Sequence, residues 1–518
     1  MDDLSKSFVP AIFILFLICF LSIALFLKKT SQAIDYWLFL GSLPSLARNS
    51  NRLPEWFTEV FCSLGRGSFF IDGPIFSNLK YFVTCHDKNI EYILKSHFNN
   101  FPKGPDFKQI FEPLGDGIFN ADSDTWRVQR RMAHTAFLSG EFKNLLSSMS
   151  RRVVEDQLVP VLVHVAKTGT TFDLQEMCWR FAFDVNMNAV FGIHPRYLSI
   201  ELPSNDLAEA IDVAQEAIFY RHTMPMLSWK LMCLFGIGRE GEVRKALTTI
   251  NRHIYEHISQ KRIDMSNGAQ TFDLLSTYIK NIEEHKRSTA PSPHKNEDEF
   301  LRDAMFNLFT AGKDTIASGL IWFFWLVSKT PSVEKKIIEE LKMLMSSKTG
   351  ELLEHHEWPW VFDSDDINGL VYLHAALCES LRLYPPVPIN SKTVLNEAVL
   401  PDGSLVKPGM QVLIPFYSVG RMPWIWGEDC LEFRPERWID GDGKLNLHEN
   451  VSRFFTFNLG PRTCLGKDMS FTQMKAVVAA VLFNFQVEVL EGQHVCSKPA
   501  ITLHMENGLK VKIQKRVM

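Results

Sequence analysis

The chain has 518 residues, of which 46% are hydrophobic and 40 are Phe, and this is enough apolar material to bury a large core. Its formal net charge of −4 gives no support to a nucleic-acid partner. Nine cysteines are scattered along the chain without a C-x-x-C pair. This usage indicates reduced thiols in a cytosol-facing protein and excludes a disulfide framework.

The N-terminal segment is apolar over a length that can span a bilayer. From Phe8 to Leu27 about twenty residues are almost wholly apolar. Lys28 and Lys29 follow, so the basic end is expected on the cytosolic side and the short N-terminus in the lumen. A cleaved signal peptide fits less well, because the preceding residues are acidic and no small-residue cleavage site follows. We therefore predict an uncleaved anchor over residues 1–29, a breaker-rich hinge over 30–50 and one globular domain over 51–518.

The remaining chain predicts many helices and few strands. Short alternating segments predict strands at 68–71 and 81–84. Residues 99–124, rich in Gly, Pro, Asp and Phe, predict a long functional loop. The other predicted elements are helices within 125–284 and at 298–329, 333–345, 370–383 and 465–483, and strands at 399–400, 405–406, 411–415, 486–490 and 509–513. The fold class is therefore mainly α with a minor β-sheet.

A loop shaped by Gly and Pro presents one cysteine near the C-terminus. It runs from Phe457 to Gly466 and contains Cys464. A thiolate in such a loop can ligate haem iron and favour cleavage of an O–O bond. We expect Arg462 to hold the sulfur deprotonated and to meet a haem propionate, loop N–H groups to point at the sulfur, and Gly460 and Gly466 to let the backbone pass close to the porphyrin. A buried, inert cysteine is the alternative.

The predicted helix at 298–329 contains a second candidate group, Ala311, Gly312, Asp314 and Thr315. Gly inside a helix costs about 1 kcal/mol relative to Ala, so Gly312 asks for a reason. Its missing side chain would leave room for O₂ beside the iron. Thr315 can bond back to the Ala311 carbonyl, and with Asp314 it can deliver protons to dioxygen. The alternative is a helix with a tolerated Gly and a solvated Lys–Asp pair.

Two further helices carry paired residues. Glu379 and Arg382 lie three apart and so face the same side of their helix. Trp126 and Arg130 lie four apart and could together bind haem propionates, because the guanidinium suits bidentate contact with a carboxylate. An ordinary basic helix is the alternative for the second pair.

The Phe457–Gly466 segment resembles the haem-binding signature of the cytochrome P-450 superfamily of haem-thiolate monooxygenases, and the order of the other motifs agrees with it. The resemblance implies a cytochrome P-450 fold behind the anchor, with haem b as cofactor and O₂ as co-substrate. It implies electrons from NADPH through a separate flavoprotein reductase, with cytochrome b5 as an optional second donor. It also implies that Arg437 joins Glu379 and Arg382 in a structural triad.

At finer grain the chain resembles the plant clan that hydroxylates fatty acids and alkanes, and within it the midchain alkane hydroxylase branch. The segments Asn100–Gly104, Leu114–Phe119 and Gly466–Phe471 carry this resemblance. Two departures stand out. Ile316 occupies the place of a second Thr, and Ser391 occupies the place of a basic propionate partner, which leaves Lys392 as a substitute.

The predicted substrate pocket is apolar, with no cation among its walls to anchor a carboxylate. Its predicted walls are Phe111, Ile118, Phe119, Val387, Ile389 and Leu503. We therefore expect a single-pass endoplasmic-reticulum monooxygenase that hydroxylates an apolar long-chain substrate, an alkane or a fatty acid. Oxidative C–C or C–O coupling of a phenolic, alkaloid-type substrate by the same haem is the alternative. The sequence also leaves open a peroxide-rearranging enzyme, against which Thr315 argues, and a membrane-anchored haem sensor.

Overall fold

The structure is a computed structural model, and it describes residues 29–30, 34–37, 39–74, 80–224, 226–270, 272–287, 296–349, 358–447, 450 and 452–517. The predicted membrane anchor, except Lys29, lies outside these residues. Within the described part, no individual helix has both the length and the apolar composition to cross a bilayer. One bent pair, Glu297–Lys329 with Pro331–Lys348, meets those two criteria when its members are taken together.

Helices dominate the described residues, as the sequence predicts. From the N-terminus they are α1 (Leu43–Arg48), α2 (Leu53–Leu64), α3 (Asp87–Glu91), α4 (Gly104–Ile110), α5 (Ser123–Leu138), α6 (Gly140–Val153), α7 (Val159–Thr168), α8 (Leu174–Phe191), α9 (Asp206–Thr223), α10 (Met226–Phe235), α11 (Gly238–Ser266) and α12 (Leu274–Arg287). The remaining helices are α13 (Glu297–Lys329), α14 (Pro331–Thr349), α15 (Ser364–Asn368), α16 (Val371–Leu383), α17 (Phe416–Val419), α18 (Pro423–Trp426) and α19 (Lys467–Asn484).

The strands form small sheets. They are β1 (Lys29–Thr30), β2 (Asp35–Tyr36), β3 (Ser68–Asp72), β4 (Lys80–Thr84), β5 (Phe172–Asp173), β6 (Asn390–Thr393), β7 (Ala398–Val399), β8 (Leu405–Val406), β9 (Gln411–Ile414), β10 (Phe485–Val489), β11 (Ser497–Lys498), β12 (His504–Met505) and β13 (Lys510–Lys515). One sheet has the order β3-β4-β9-β6 and another β10-β13-β5, while β1-β2, β7-β8 and β11-β12 pair by twos. In the first sheet Lys392 of β6 pairs with Val412 of β9.

The longest helix, α13, begins and ends where its sequence provides a cap and a breaker. The Asn296 side chain accepts a hydrogen bond from the Glu299 N–H at its start. Its end at Thr330 precedes Pro331, which cannot donate to continue the helix. Most of its 33 residues are buried, because α8, α11, α16 and α19 pack around it. The helix is therefore apolar on most of its surface, and the polar residues inside it are the exceptions that need an explanation.

The cysteine loop lies between two hydrophobic cores. The larger core surrounds α13 and α19 and includes Phe471, against which Phe457 packs. The smaller core joins α2 to the β3-β4-β9-β6 sheet and includes Phe455, and Leu459 packs against it. The loop that carries Cys464 is thus held from both sides by apolar side chains that alternate in direction.

Three segments differ from the sequence predictions. The predicted hinge contains the elements β1, β2 and α1, and Leu46 of α1 packs on the smaller core. Gly41 takes a φ of 57° before this helix, and Pro44 lies in the first turn of the helix, where no N–H is needed. The predicted loop at 99–124 contains the short helix α4. Strand β6 was not predicted, because the sequence Asn-Ser-Lys-Thr shows no apolar alternation.

Candidate active site

Backbone hydrogen bonds fix the loop around Cys464. The Cys464 N–H donates to the Phe457 carbonyl at 2.8 Å, and the Thr463 N–H donates to the Gly460 carbonyl at 3.0 Å. Gly460 has a φ of 68°, and a Cβ at this position would overlap the Leu94 carbonyl. The close approach of Gly460 to a porphyrin stays a prediction. This glycine is needed where the loop crosses the backbone of Leu94.

The Cys464 thiol faces an enclosed space and lies close to groups that favour its ionised form. Its side chain keeps accessible surface, although burial is the largest influence on its pKa and raises it. The Gly466 N–H and the nearby charges of Arg130 and Lys467 act in the opposite direction. An N–H directed at the sulfur was predicted. The contribution of Gly466 thus comes from its backbone N–H.

Arg462 does not have the predicted role beside the sulfur. Its guanidinium donates to the Ala121 carbonyl at 2.6 Å and to Asp122 at 2.8 Å. It also lies over the Trp126 ring, with Cζ 4.7 Å from the ring centroid. Arg130 takes the place next to the loop, where it donates to the Thr463 carbonyl at 2.6 Å. Of these two guanidinium groups, it is Arg130 that lowers the pKa of Cys464.

Four cations and one carboxylate of the described residues lie together near this loop. They are Lys103, Arg130, Lys392 and Arg462, and Asp122 is the carboxylate. Lys392 is fully buried, and its Nζ has no hydrogen-bond partner among the described residues. Burial, and then the charge of Arg462, lowers the pKa of Lys392 to about 7. Burial and the two neighbouring cations also hold the pKa of Lys103 well below its usual range. Positive charge exceeds negative charge in this cluster, so the cluster favours binding of a further anionic group.

The polar residues of α13 form a connected network. The Thr315 hydroxyl donates to the Ala311 carbonyl at 2.7 Å, as the spacing predicts. Lys313 and Asp314 are both buried, and the Lys313 ammonium lies 3.2 Å from Asp314 and 2.6 Å from Asp212 of α9. Gln215 donates to Asp314. Burial disfavours the charged carboxylate, but these neighbours outweigh it and lower the pKa of Asp314. A solvated Lys–Asp pair is thereby excluded.

Gly312 lies against a neighbouring helix. A Cβ built on Gly312 would overlap the side-chain amide of Asn186 on α8. The amide of Asn186 is itself fixed, because it donates to the Ala182 carbonyl at 2.7 Å. Gly312 therefore lets α13 approach α8 closely, and the room for O₂ beside it stays a prediction. Ala311, Gly312 and Thr315 are all partly exposed on α13.

Replacing Gly312 by Ala is expected to destabilise the fold. The added methyl group has to displace Asn186, and overpacking of this kind costs about 1–3 kcal/mol of the free energy of unfolding. The measurement is chemical denaturation of the single variant, of Asn186→Ala and of the double variant. We expect the second substitution to recover stability in the double variant. Additive losses, or a Gly312→Ala variant as stable as the original, would contradict the packing role.

The predicted triad forms a buried ion cluster. Arg382 donates to both oxygens of Glu379 at 2.8 Å, and Arg437 donates to the same carboxylate at 3.3 Å. Trp438 adds an indole N–H at 2.8 Å. The sequence interpretation missed Trp438, although it directly follows Arg437 in the chain. The cluster ties α16 to the 3₁₀ turn Pro435–Trp438 that leads toward the cysteine loop.

The predicted pocket residues have varied surroundings. Phe111 stacks on Phe107 with centroids 4.0 Å apart, and the Ile118 carbonyl accepts from Arg462 at 3.3 Å. The Leu503 carbonyl accepts from both Ser318 and Trp322 of α13 at 2.7 Å. Ile389 packs against the smaller core, while Phe119 and Val387 are about two-fifths exposed. Their part in binding a substrate stays a prediction.

The chain matches a known protein family over most of its length. A family model described as Cytochrome P450 matches residues 34–512. The chain belongs to the cytochrome P450 family. A solved structure titled "Crystal structure of cytochrome P450DA heme domain" shares the fold, with a TM-score of 0.75 and 19% identity over 94% of this chain and 97% of that one. The protein is therefore a haem-dependent P450 monooxygenase, an oxidoreductase that uses O₂.

Several plant P450 enzymes are similar over nearly the whole chain. Alkane hydroxylase MAH1 from Arabidopsis thaliana is 39% identical, with 98% of both chains covered. Cytochrome P450 86B1 from Arabidopsis thaliana is also 39% identical, over 96% of this chain and 88% of its own. Noroxomaritidine synthase from Narcissus aff. pseudonarcissus MK-2014 is 35% identical, over 96% and 95%. These relatives agree with the plant clan that the sequence motifs resemble.

The residues at the site fit a haem. Haem carries two propionate carboxylates. The four-cation cluster holds one carboxylate of its own, and the buried Lys392 ammonium has no hydrogen-bond partner in the part of the chain that the structure describes. The donor set supplies one thiol, that of Cys464, with an N–H and nearby cations that favour its thiolate. The sequence interpretation named Lys392 only as a substitute propionate partner and gave Lys103 no role of its own. The signal for Lys103 was its place in the Asn100–Gly104 motif.

Substituting Lys392 by Met is expected to weaken haem retention. A charge-assisted hydrogen bond contributes about 1.5–3 kcal/mol, so haem should leave the variant about 10- to 100-fold more readily. The haem-free protein should be no less stable, because a buried, unpaired ammonium is costly. Haem transfer to a scavenging apoprotein measures the first effect, and denaturation of the haem-free form measures the second. Lys407→Met, at an exposed position, is the control. Unchanged transfer would contradict the assignment.

Proposed function

We propose that this P450 hydroxylates an apolar long-chain substrate, an alkane or a fatty acid. The reaction is RH + O₂ + two electrons + two protons → ROH + H₂O. The observation that carries the proposal is a pair of stacked aromatic rings at the predicted substrate wall. The cation nearest to these rings is already hydrogen-bonded to other residues. Phe107 and Phe111 stack on one another, while the Lys103 ammonium lies 4.1 Å from the Phe107 ring centroid and donates to Asn390 at 3.1 Å and to the Ser391 carbonyl at 3.4 Å.

In this proposal each group of the site has one task. Cys464 would hold the iron, and Arg130, Arg462, Lys392 and Lys103 would hold the propionates together with Trp126. The Thr315 hydroxyl moves protons at Oγ1, and the Asp314 carboxylate relays protons from the network that reaches Asp212. When bound, haem with a thiolate ligand supplies the activation of dioxygen and the cleavage of its O–O bond.

The electrons come from NADPH through a separate flavoprotein reductase, with cytochrome b5 as an optional second donor. We place the enzyme on the endoplasmic-reticulum membrane with its catalytic domain in the cytosol. The apolar segment at Phe8–Leu27 and the lysines that follow support this placement.

Product analysis with three substrates tests the proposal. Chain burial contributes about 0.8 kcal/mol for each CH₂ removed from water, so affinity should rise with chain length. Hydroxylation should fall at internal carbons of a long alkane, because no head-group clamp fixes which carbon reaches the iron. The comparison uses the alkane, the fatty acid of equal length and a bis-phenolic amine. Turnover confined to the phenolic amine would contradict hydroxylation of long chains and favour oxidative coupling.

A further inference from the structure

The last turn of α9 lies against the predicted substrate wall. The His222 ring meets the Phe111 ring edge to face, with centroids 5.4 Å apart. The neighbouring Arg221 fixes this contact, because it donates to the carbonyls of Gln109 and Ile110 at the end of α4 at 3.4 and 3.3 Å. Arg221 is in turn held by Glu240, through two hydrogen bonds of 2.9 and 2.7 Å. The position of His222 beside Phe111 is therefore set by a buried network.

The hydrogen bonds of His222 determine which ring nitrogen is free. Its Nδ1 lies 2.8 Å from the Ile218 carbonyl. A carbonyl oxygen only accepts, so Nδ1 carries the proton, and in the neutral ring Nε2 is an acceptor. Nε2 has no hydrogen-bond partner among the described residues. Burial lowers the pKa of His222, the bond to Ile218 works against this, and the charge of Lys103 lowers the pKa further, so the ring is neutral.

His222 faces an enclosed space in the same way as Cys464. Its side chain is exposed to a water-sized molecule, yet protein surrounds it closely enough for burial to be the largest influence on its pKa. A hydrogen-bond acceptor that faces an enclosed apolar space lacks a hydrogen bond to bulk water. A ligand that donates a hydrogen bond to this acceptor is therefore bound more tightly.

We propose that His222 Nε2 accepts a hydrogen bond from a neutral donor on the substrate, an alcohol or phenol hydroxyl. This proposal rests on the proposed function and predicts that, among long-chain substrates, those that carry a hydroxyl group away from the reacting carbon bind more tightly. A carboxylate has no proton to donate to Nε2, and the nearby Lys103 is bound to Asn390 and Ser391. The order of affinity is therefore alcohol above alkane, with the carboxylate gaining nothing from His222.

Binding titrations followed by the substrate-induced shift of the haem absorption spectrum test this specificity. The probes are a long alkane, the primary alcohol and the fatty acid of equal length. The native enzyme should bind the alcohol about 5- to 10-fold more tightly than the alkane, as one net hydrogen bond allows. His222→Phe should remove this preference while changing the affinity for the alkane less than about twofold. His222→Gln, which keeps an acceptor, should retain part of the preference.

The controls separate this inference from the proposed function. His164→Phe, at an exposed position on α7, should leave all three affinities unchanged. The haem spectrum of each variant shows whether it folds. If the native enzyme binds none of the three probes, the proposed function fails. If it binds alkane and alcohol equally, or if His222→Phe keeps the preference, the role of His222 is wrong while the proposed function stands.

Discussion

Replacing Glu379 by Gln is expected to leave little folded, haem-loaded protein. The carboxylate is fully buried and neutralises Arg382, which is also buried, and Arg437. Removing one partner of a buried ion cluster costs about 3–5 kcal/mol, because the remaining charge keeps its desolvation penalty. The free energy of unfolding of a typical protein is about 5–15 kcal/mol, so this loss removes much of the margin.

The matched control for this variant is Glu432→Gln, an exposed glutamate on the same connection. Both variants are compared by soluble yield, haem content and thermal unfolding. We expect Glu432→Gln to match the native protein and Glu379→Gln to lose most of its haem signal. Equal haem content and thermal midpoint in the two variants would show that the cluster is not needed to hold the loop.

Replacing Thr315 by Ala is expected to uncouple electron consumption from product formation. Haem binding should be unchanged, because the hydroxyl bonds only to the carbonyl of its own helix at Ala311. Proton transfer by a positioned side chain contributes about 10²- to 10⁴-fold in enzymes, so product formed per NADPH should fall by about tenfold or more, with hydrogen peroxide as the alternative product. Ile316 cannot compensate, because it is apolar and buried in the larger core.

The uncoupling experiment measures NADPH, product and hydrogen peroxide in the same reaction. Thr315→Ser, which restores a hydroxyl, should recover most of the coupling. Thr310→Ala on the same helix is the matched control, since its hydroxyl is buried without a partner among the described residues. Product per NADPH equal to that of the native enzyme in Thr315→Ala would show that protons reach the site by another route.

The contacts that the sequence predicts are mostly those within one helix. The spacing of three and four residues places Arg382 on Glu379 and the Thr315 hydroxyl on the Ala311 carbonyl, because helix geometry alone determines both contacts. The longer strands and helices could also be predicted, because the spacing of their apolar residues is a local property of the sequence.

The contacts that the sequence did not predict depend on distant segments. Gly312 is required by Asn186 and Gly460 by Leu94, and neither neighbour is close in sequence. Arg130 reaches the Thr463 carbonyl across 333 positions of chain, while Arg462 turns away toward Asp122. A glycine or an arginine in a motif predicts that a contact exists, but the packing of separate elements decides which contact it is.

The absorption spectrum of the reduced, carbon-monoxide-bound enzyme tests most directly whether Cys464 is the iron ligand. The native protein should give the red-shifted band that is characteristic of thiolate-ligated haem. Cys464→Ala should lose this band, and Cys464→His, even where it holds haem, should show no O–O cleavage. Cys62→Ala, at an exposed cysteine, is the control and should keep the band. A Cys464→Ala variant that retains the red-shifted band would contradict the assignment of Cys464 as the ligand.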